Sequence, residues 1–210
     1  MGYLRVYQPP IRLYPCFCGV WNNLHKVLQG VDTVTTIVAI QNEDGVIFGA
    51  DSLVTANRKF NHPRMVKISQ RGEFIIAGAG ESAACDVAQH IWTPPKPTAT
   101  DKKDIYHFVI SKVIPSLKQC FKENDYKWDK DPDDDYNFAF LIAVCGEVFD
   151  IADDFAVSLD SSGFYGVGSG SSLAIGALEA GVDIQQALEI ASKHDPYTGA
   201  PFMFMEQLKG

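Results

Sequence analysis

Three residues of different chemistry are evenly spaced in the first third of the chain: Thr35, Asp51 and Lys67. A threonine hydroxyl is a poor nucleophile at neutral pH and needs a base that takes its proton. A lysine ammonium can stabilise negative charge on such an oxygen, and a carboxylate can hold that lysine charged and oriented. Singly, each also has an ordinary interpretation, as a strand residue, a turn cap and a solvated charge. Whether these three residues act together in catalysis therefore depends on the strands and loops that carry them.

The character of the sequence changes close to Thr33. The residues before it are rich in Pro, Tyr and Asn and show no periodicity, whereas regular patterns begin after it. We therefore predict a leader over residues 1–34 and one domain over residues 35–210, a length close to the usual size of one domain.

Two hairpins are predicted at the start of the domain. The first joins the β-branched, apolar runs 36–40 and 46–49 through Asp44-Gly45, a pair that supplies the positive φ angles of a tight turn. The second joins 65–68 to 73–77 around Gln70-Arg71-Gly72. Asp51 and Lys67 thus lie where a strand begins or gives way to a loop.

Helical periodicity follows the hairpins. After Gly80 apolar residues recur at helical spacing, and Ser82 is the predicted N-cap. A second periodic stretch covers 105–121, where Pro115 predicts a kink. We therefore expect two helices after the first four strands.

The second half of the domain repeats this order of strands and helices. Strands are predicted over 137–144, 147–151, 164–167 and 201–206. One helix is predicted to begin near Ser171 or Ser172, and another at Asp183, where Gln186 completes a capping-box arrangement. No β-α-β alternation is present, so we predict an α+β fold with helices outside two stacked antiparallel sheets, a four-layer α-β-β-α sandwich.

Placed on this framework, the motifs resemble those of proteasome β subunits and of the bacterial proteasome-like peptidase HslV. The first part of the match consists of Thr35-Thr36-Ile37-Val38, Asp44-Gly45-Val46, Gly49-Ala50-Asp51 and Lys67. Its later part consists of Ile76-Ala77-Gly78, Gly168-Ser169-Gly170-Ser171 and Asp195-x-x-Thr198-Gly199, where the family usually has serine in place of Thr198. The resemblance covers residues 35–210 and implies the N-terminal nucleophile hydrolase fold.

The resemblance also implies a reaction, the hydrolysis of peptide bonds by a threonine nucleophile. Thr35 is that nucleophile once the leader is removed, because only an N-terminal threonine has a free α-amine, with a pKa of about 8, that can accept the hydroxyl proton. Lys67 disfavours protonation of this amine, and Asp51 holds the lysine charged and oriented.

Further residues receive roles by the same resemblance. The amide of Gly78 is the implied oxyanion donor, and Ser169, Asp195 and Thr198 complete the hydrogen-bond network around the terminal amine. Met65 and Ile76 line the pocket for the residue before the scissile bond, which suggests tolerance of apolar side chains.

One residue departs from the family pattern. Members that cleave themselves usually have glycine before the threonine, whereas this chain has Val34, whose branched side chain could crowd attack on its own carbonyl. Cleavage between Val34 and Thr35 is then slow or made by another protease, or the chain keeps its leader as a catalytically inactive ring subunit.

Composition restricts the partners. The chain has a net charge of -8 and a pI of about 5.0, so we expect no basic surface of the kind that binds nucleic acid or an anionic membrane. The five cysteines have no zinc-ligand spacing, so we expect no metal, no cofactor and a reducing, cytoplasmic setting. The resemblance implies a homo-oligomeric double ring that degrades polypeptides and is fed by an ATP-driven unfoldase.

A different nucleophile is the main competing hypothesis. Gly80-Glu81-Ser82-Ala83-Ala84 lies between a predicted strand and helix and approaches the Gly-x-Ser-x-Gly elbow of esterases. Asp153 or Asp154 and His194 could follow Ser82 in the required chain order. The final glycine and the β-α alternation of that fold are absent.

Overall fold

Residues 35–55, 59–61, 66–126 and 138–209 are described by the computed structural model, and two antiparallel sheets dominate them. The first sheet has the strand order β10 (Phe164–Val167), β1 (Ile37–Gln41), β2 (Gly45–Asp51) and β11 (Phe202–Leu208). The second has the order β5 (Ile68–Arg71), β6 (Phe74–Gly80), β7 (Phe138–Val144), β8 (Glu147–Ile151) and β9 (Val157–Ser158). A separate hairpin pairs β3 (Leu53–Thr55) with β4 (Lys59–Asn61).

The helices lie in two groups along the chain. The first group comprises α1 (Ser82–Asp86), which continues into a π-helical turn (Val87–Ile91), and α2 (Ile105–Phe108), which continues through a second π-helical turn (Val109–Val113) into α3 (Ile114–Glu123). The second group comprises α4 (Ser171–Glu179) and α5 (Ile184–His194). The predicted order of strands and helices is confirmed.

Alternation of side chains along the strands produces the layers. In β1, Ile37 and Ala39 pack between the two sheets, whereas Val38 packs with apolar residues of α4 and α5. In β6, Phe74 and Ile76 face the first helical group, whereas Ile75 and Ala77 face the other sheet. Three buried clusters therefore separate four layers, which is the predicted α-β-β-α sandwich.

Local chemistry explains several element boundaries. Gly45 has a φ of +147°, and a Cβ there would lie 2.2 Å from the carbonyl oxygen of Gln207, so the β1–β2 turn requires glycine. Asp183 caps α5 as predicted, because its carboxylate accepts from the amide of Gln186 at 2.8 Å. The Asp44-Gly45 pair and the Asp183 cap are local signals in the sequence, whereas the contact of Gly45 with Gln207 is visible only in the fold.

Other local predictions need correction. The N-cap of α1 is Glu81, and Ser82 is already the first helical residue. Pro115 does not end the helical stretch, because α3 follows directly on the second π-helical turn and Pro115 lies in its first turn. The small β3–β4 hairpin was not predicted, and the last strand extends to Leu208.

Candidate active site

One buried carboxylate collects four hydrogen bonds at the end of β2. Asp51 is 0% exposed, and its Oδ1 accepts from the amide of Thr36 at 2.8 Å and from Lys67 Nζ at 2.6 Å. Its Oδ2 accepts from the amides of Leu53 and Gly199, each at 3.1 Å. Hydrogen bonds to a charged group are the stronger kind. Asp51 therefore fixes three separate stretches of chain as well as the lysine.

Lys67 lies immediately before β5, with its ammonium directed at Asp51. The residue is only 8% exposed. Burial lowers the pKa of Lys67 below its ordinary 10.5, while the carboxylates of Asp51 and, more weakly, Asp195 oppose that shift. Desolvation together with a specific charge partner is the combination found at many functional lysines. The site thus contains a desolvated cation in one defined position.

A second carboxylate, Asp195, accepts from two hydroxyl groups near the start of β1, and a third hydroxyl is linked to it through one of them. Asp195 Oδ2 accepts from Ser169 Oγ at 2.8 Å and from Thr198 Oγ1 at 2.5 Å, and its Oδ1 accepts from the amide of Tyr197 at 3.2 Å. The Thr198 hydroxyl also hydrogen-bonds the hydroxyl of Thr36. Because Thr198 donates to Asp195, Thr36 is the donor in this last bond. Three polar segments distant in sequence therefore meet beside Thr35.

Thr36 belongs to the first matched motif but had no predicted role. Its amide binds Asp51 and its hydroxyl binds Thr198, so this one residue connects the two carboxylate clusters. In the sequence, the adjacent threonines Thr35 and Thr36 were the feature that could have indicated a role for Thr36.

Two glycines allow the loop after β10 to approach the first threonines closely. A Cβ at Gly168, whose φ is +94°, would lie 2.0 Å from the carbonyl oxygen of Thr35. A Cβ at Gly170 would lie 2.2 Å from Thr36 Oγ1. Between them, Ser169 Oγ lies 3.5 Å from the Thr35 carbonyl oxygen. The loop can thus cover Thr35, which is 5% exposed, only because these positions lack side chains.

Two residues assigned by resemblance have geometry that conflicts with their predicted roles. The amide of Gly78 donates to the carbonyl oxygen of Lys67 at 3.2 Å, so it is already used within the sheet and is not free for an oxyanion. Ile76 is 0% exposed in the cluster between the second sheet and the helices, so it does not line an open pocket. Val34, Met65 and the leader lie outside the described residues.

The Ser82 hypothesis is contradicted by the fold. That mechanism belongs to a sheet with β-α alternation, whereas the strand pairs in the described ranges are all antiparallel. Ser82 lies exposed at the first residue of α1. The described strands and helices therefore do not form the sheet that the esterase elbow requires.

The part of the chain that the structure describes holds no group of three or more His, Cys, Asp or Glu side chains placed to bind a metal ion. Within the same residues, no helix is both long enough and apolar enough to span a membrane.

Solved structures of other proteins share this fold. No protein-family model and no curated protein matches the sequence. Among solved structures, BPH of Thiobacillus denitrificans in complex with epoxomicin has a TM-score of 0.61 and 21% identity, over 84% of this chain and 100% of that chain. The eukaryotic HslV of Trypanosoma brucei has a TM-score of 0.54 and 19% identity, over 82% and 98%.

A third structure extends the comparison. Anbu, an ancestral β-subunit from Yersinia bercovieri, has a TM-score of 0.57 and 15% identity, over 83% of each chain. Likeness at these identities establishes the fold. The chain has the N-terminal nucleophile hydrolase fold of proteasome-type subunits, and the predicted resemblance is confirmed at that level.

Proposed function

We propose that this chain, which has the fold of proteasome-type N-terminal nucleophile hydrolases, is a threonine endopeptidase with Thr35 as its nucleophile. The observation that supports this most strongly is the buried Asp51–Lys67 pair, bonded to the amide of the residue directly after Thr35. Burying an ion pair is often no more stabilising than packing apolar side chains in its place. A purely structural subunit would therefore have no need of it.

Removal of the leader exposes the α-amine of Thr35, which then takes the proton from the hydroxyl of the same residue. The oxygen attacks the carbonyl carbon of the substrate peptide bond, and the C–N bond breaks as the leaving amine receives that proton. The resulting acyl ester on Thr35 is hydrolysed by water, which returns the hydroxyl. Lys67 keeps the amine unprotonated and stabilises negative charge on the oxygen, and Asp51 orients Lys67.

Asp195 orients the hydroxyl groups that surround Thr35. Ser169 and Thr198 both donate to it, which leaves the oxygen lone pairs of these hydroxyls available as acceptors. In this proposal Ser169, which already approaches the Thr35 carbonyl, accepts from the terminal amine after processing. Thr36 holds Thr198 in place from the other side.

The oxyanion donor in this proposal is the amide of Gly80 in place of the Gly78 amide. Alternate residues of a strand direct their amides to the same side, and the Gly78 amide points to the β5 side, at Lys67. The β5–β6 pairing runs no further along β6 than Ala77, whereas β6 continues to Gly80. The next amide on that side therefore lies past the end of β5. One such donor typically contributes about 3 to 4 kcal/mol to lowering the barrier.

A second candidate function is a catalytically inactive ring subunit that keeps its leader. Val34 favours it, because a branched residue before the threonine crowds attack on its own carbonyl. The retained Asp51–Lys67 pair argues against it. The two functions differ in one measurable property, the N-terminal residue of the mature chain.

The proposed assembly is a homo-oligomeric double ring with its active sites inside a chamber. Polypeptide is the substrate, and an ATP-dependent unfoldase is the proposed partner that delivers it. The net charge of -8 is consistent with a protein that binds neither nucleic acid nor anionic membranes. We propose a cytoplasmic location for this assembly.

Intact mass and N-terminal sequencing of the wild-type chain beside its Thr35→Ala and Thr35→Ser variants test the proposal. We expect the wild-type chain to begin at Thr35 and to hydrolyse fluorogenic peptides, Thr35→Ser to keep part of both properties, and Thr35→Ala to remain full length and inactive. Epoxomicin, which is bound in the BPH structure, is expected to inhibit the wild-type chain.

Two results would contradict the proposal that Thr35 is the nucleophile of an active peptidase. Full-length, inactive chains in all three preparations support the inactive ring subunit. Peptide hydrolysis that survives in purified Thr35→Ala excludes Thr35 as the nucleophile.

A further inference from the structure

The main chain of Lys67 is held from the helical layer by a buried side chain. Gln89 donates from Nε2 to the carbonyl oxygen of Lys67 at 2.9 Å, and the same oxygen accepts from the amide of Gly78 at 3.2 Å. The Gly78 bond comes from the neighbouring strand and does not depend on any side chain. The Gln89 bond does depend on a side chain, and it reaches Lys67 from the helical layer.

The surroundings of Gln89 are unfavourable for an amide side chain that serves only packing. The residue is 2% exposed in the π-helical turn after α1, and its chain neighbours Val87, Ala88 and Trp92 are buried in the apolar cluster beneath the second sheet. Burying an amide is costly unless it is hydrogen-bonded, so an apolar residue would fill the same volume with less risk. Insertions of a π-helical turn frequently lie at functional sites.

We propose that Gln89 is a positioning residue that fixes the main chain of Lys67 and, through it, the ammonium group at Asp51. This inference rests on the proposed function for its consequence in activity. Only the lysine side chain separates the held carbonyl from the ammonium, whose Nζ lies 2.6 Å from Asp51 Oδ1. A displacement of the main chain at Lys67 therefore moves the charge relative to Thr35.

The chain contains a matched control at the other end of β5. Arg71 Nε donates to the carbonyl oxygen of Trp92 at 3.1 Å, so it also ties β5 to the chain at the end of the same π-helical turn. It lies four residues beyond Lys67 and takes no part in the site. Gln89→Met removes the bond to Lys67, and Arg71→Met removes the bond to Trp92 together with a longer one from Nη2 to the carbonyl oxygen of Ile91 at 3.4 Å; both variants keep a long, unbranched side chain.

Three titratable groups face the Lys67 ammonium, and a displacement of the ammonium changes its distance from each of them. They are Asp51 at the end of β2, Asp195 after α5 and Cys85 on α1. A cation close to the Thr35 amine disfavours protonation of that amine. When the cation moves away, the amine is protonated more readily, and the acidic limb of the activity profile moves to higher pH.

The experiment uses two readouts. In the processed enzyme, kcat, KM and the pH profile for a fluorogenic peptide are measured for wild type, Gln89→Met and Arg71→Met. In full-length Thr35→Ala chains, which require no activity, the NMR signal of the ¹³Cε-labelled Lys67 side chain is followed in the same variants. We expect Gln89→Met to lower kcat about tenfold to a hundredfold with little change in KM, to move the acidic limb upward and to shift the Lys67 signal. Arg71→Met is expected to leave all four unchanged.

The outcomes separate this inference from the proposed function. An unchanged Lys67 signal in Gln89→Met overturns the inference, as do equal losses of kcat in both methionine variants with an unmoved pH limb. If wild type is inactive but only Gln89→Met shifts the Lys67 signal, the proposed function fails and the positioning role of Gln89 stands.

Discussion

Asp51→Asn replaces the carboxylate that accepts four hydrogen bonds in the candidate active site. The side chain keeps its shape, but one acceptor oxygen becomes an NH₂ group and the negative charge is lost. Each oxygen of Asp51 accepts two hydrogen bonds, so either orientation of the amide turns a donor towards two existing donors. At about 1.5 to 3 kcal/mol for a hydrogen bond to a charged group, two lost bonds correspond to about 3 to 6 kcal/mol.

We therefore expect Asp51→Asn to lower the free energy of unfolding by about 4 kcal/mol, within the range for breaking a buried ion pair. Urea denaturation at pH 7 measures it, with every chain carrying Thr35→Ala so that leader removal does not change the length. Asp160→Asn is the matched control, because Asp160 is exposed and accepts from the amide of Ser162. That variant is expected to lose less than about 1 kcal/mol.

The double variant Asp51→Asn/Lys67→Met refines this test. Removing the second charge relieves the buried, unpaired ammonium, so the double variant is expected to be more stable than the two single losses predict, by about 2 kcal/mol. A loss in Asp51→Asn no larger than in Asp160→Asn would refute the reasoning. It would mean that the four hydrogen bonds do not stabilise the fold.

The pH dependence of Asp51→Asn has a definite sign. Burial lowers the pKa of Lys67, and Asp51 is the first cause that opposes the shift, so the variant moves this pKa further below 10.5. Between the folded pKa and 10.5 the unfolded chain binds more protons than the folded chain, so stability rises with pH there. The stability deficit of the variant is therefore expected to be smaller at pH 9.5 than at pH 7.

Three further predictions follow from the site. Thr36→Val, which removes the hydroxyl bonded to Thr198, is expected to lower the free energy of unfolding by about 1 kcal/mol in urea, whereas Thr36→Ser keeps most of it; equal losses would contradict this. Gly170→Ala is expected to destabilise by about 1 to 3 kcal/mol, since its Cβ would lie 2.2 Å from Thr36 Oγ1, whereas Gly176→Ala, with open space around it, is expected to stabilise slightly. Burial raises the pKa of Cys85 to about 12, so iodoacetamide at pH 8 is expected to label it far more slowly in the native chain than in urea, as followed by mass spectrometry. The same shift means that the stability associated with this thiol is present below pH 9 and is lost as the pH rises towards 12; equal labelling rates would show that the thiol is accessible.

Much of the fold could be predicted because its signals are local. The Asp-Gly turn before β2 and the Asp183 cap of α5 each depend on residues within a few positions, and both were confirmed. The order of strands and helices was sufficient to select a four-layer sandwich, because apolar sheet faces and helix stripes must be buried against one another.

The two predictions that failed at the site concern directions across the sheet. Both faces of β6 are apolar, so periodicity did not show that Ile76 faces the helices, where it is fully buried. The Gly78 amide is occupied because β5 reaches back far enough for the Lys67 carbonyl to receive it. Strand register is set by long-range pairing and is not visible in a glycine motif.

The sequence by itself determined which residue types stand at which spacing, and so the candidate set of Thr35, Asp51 and Lys67, together with the elements that carry them. Only the tertiary structure decided how these residues are held: the four donors on Asp51, the hydroxyl bridge through Thr36 and the tie from Gln89 to Lys67. The physical reason is that all of these contacts except the local bond from the Leu53 amide join segments at least 15 residues apart in the chain. Hydrogen bonds of that kind exist only when two sheets and their covering helices pack in one register.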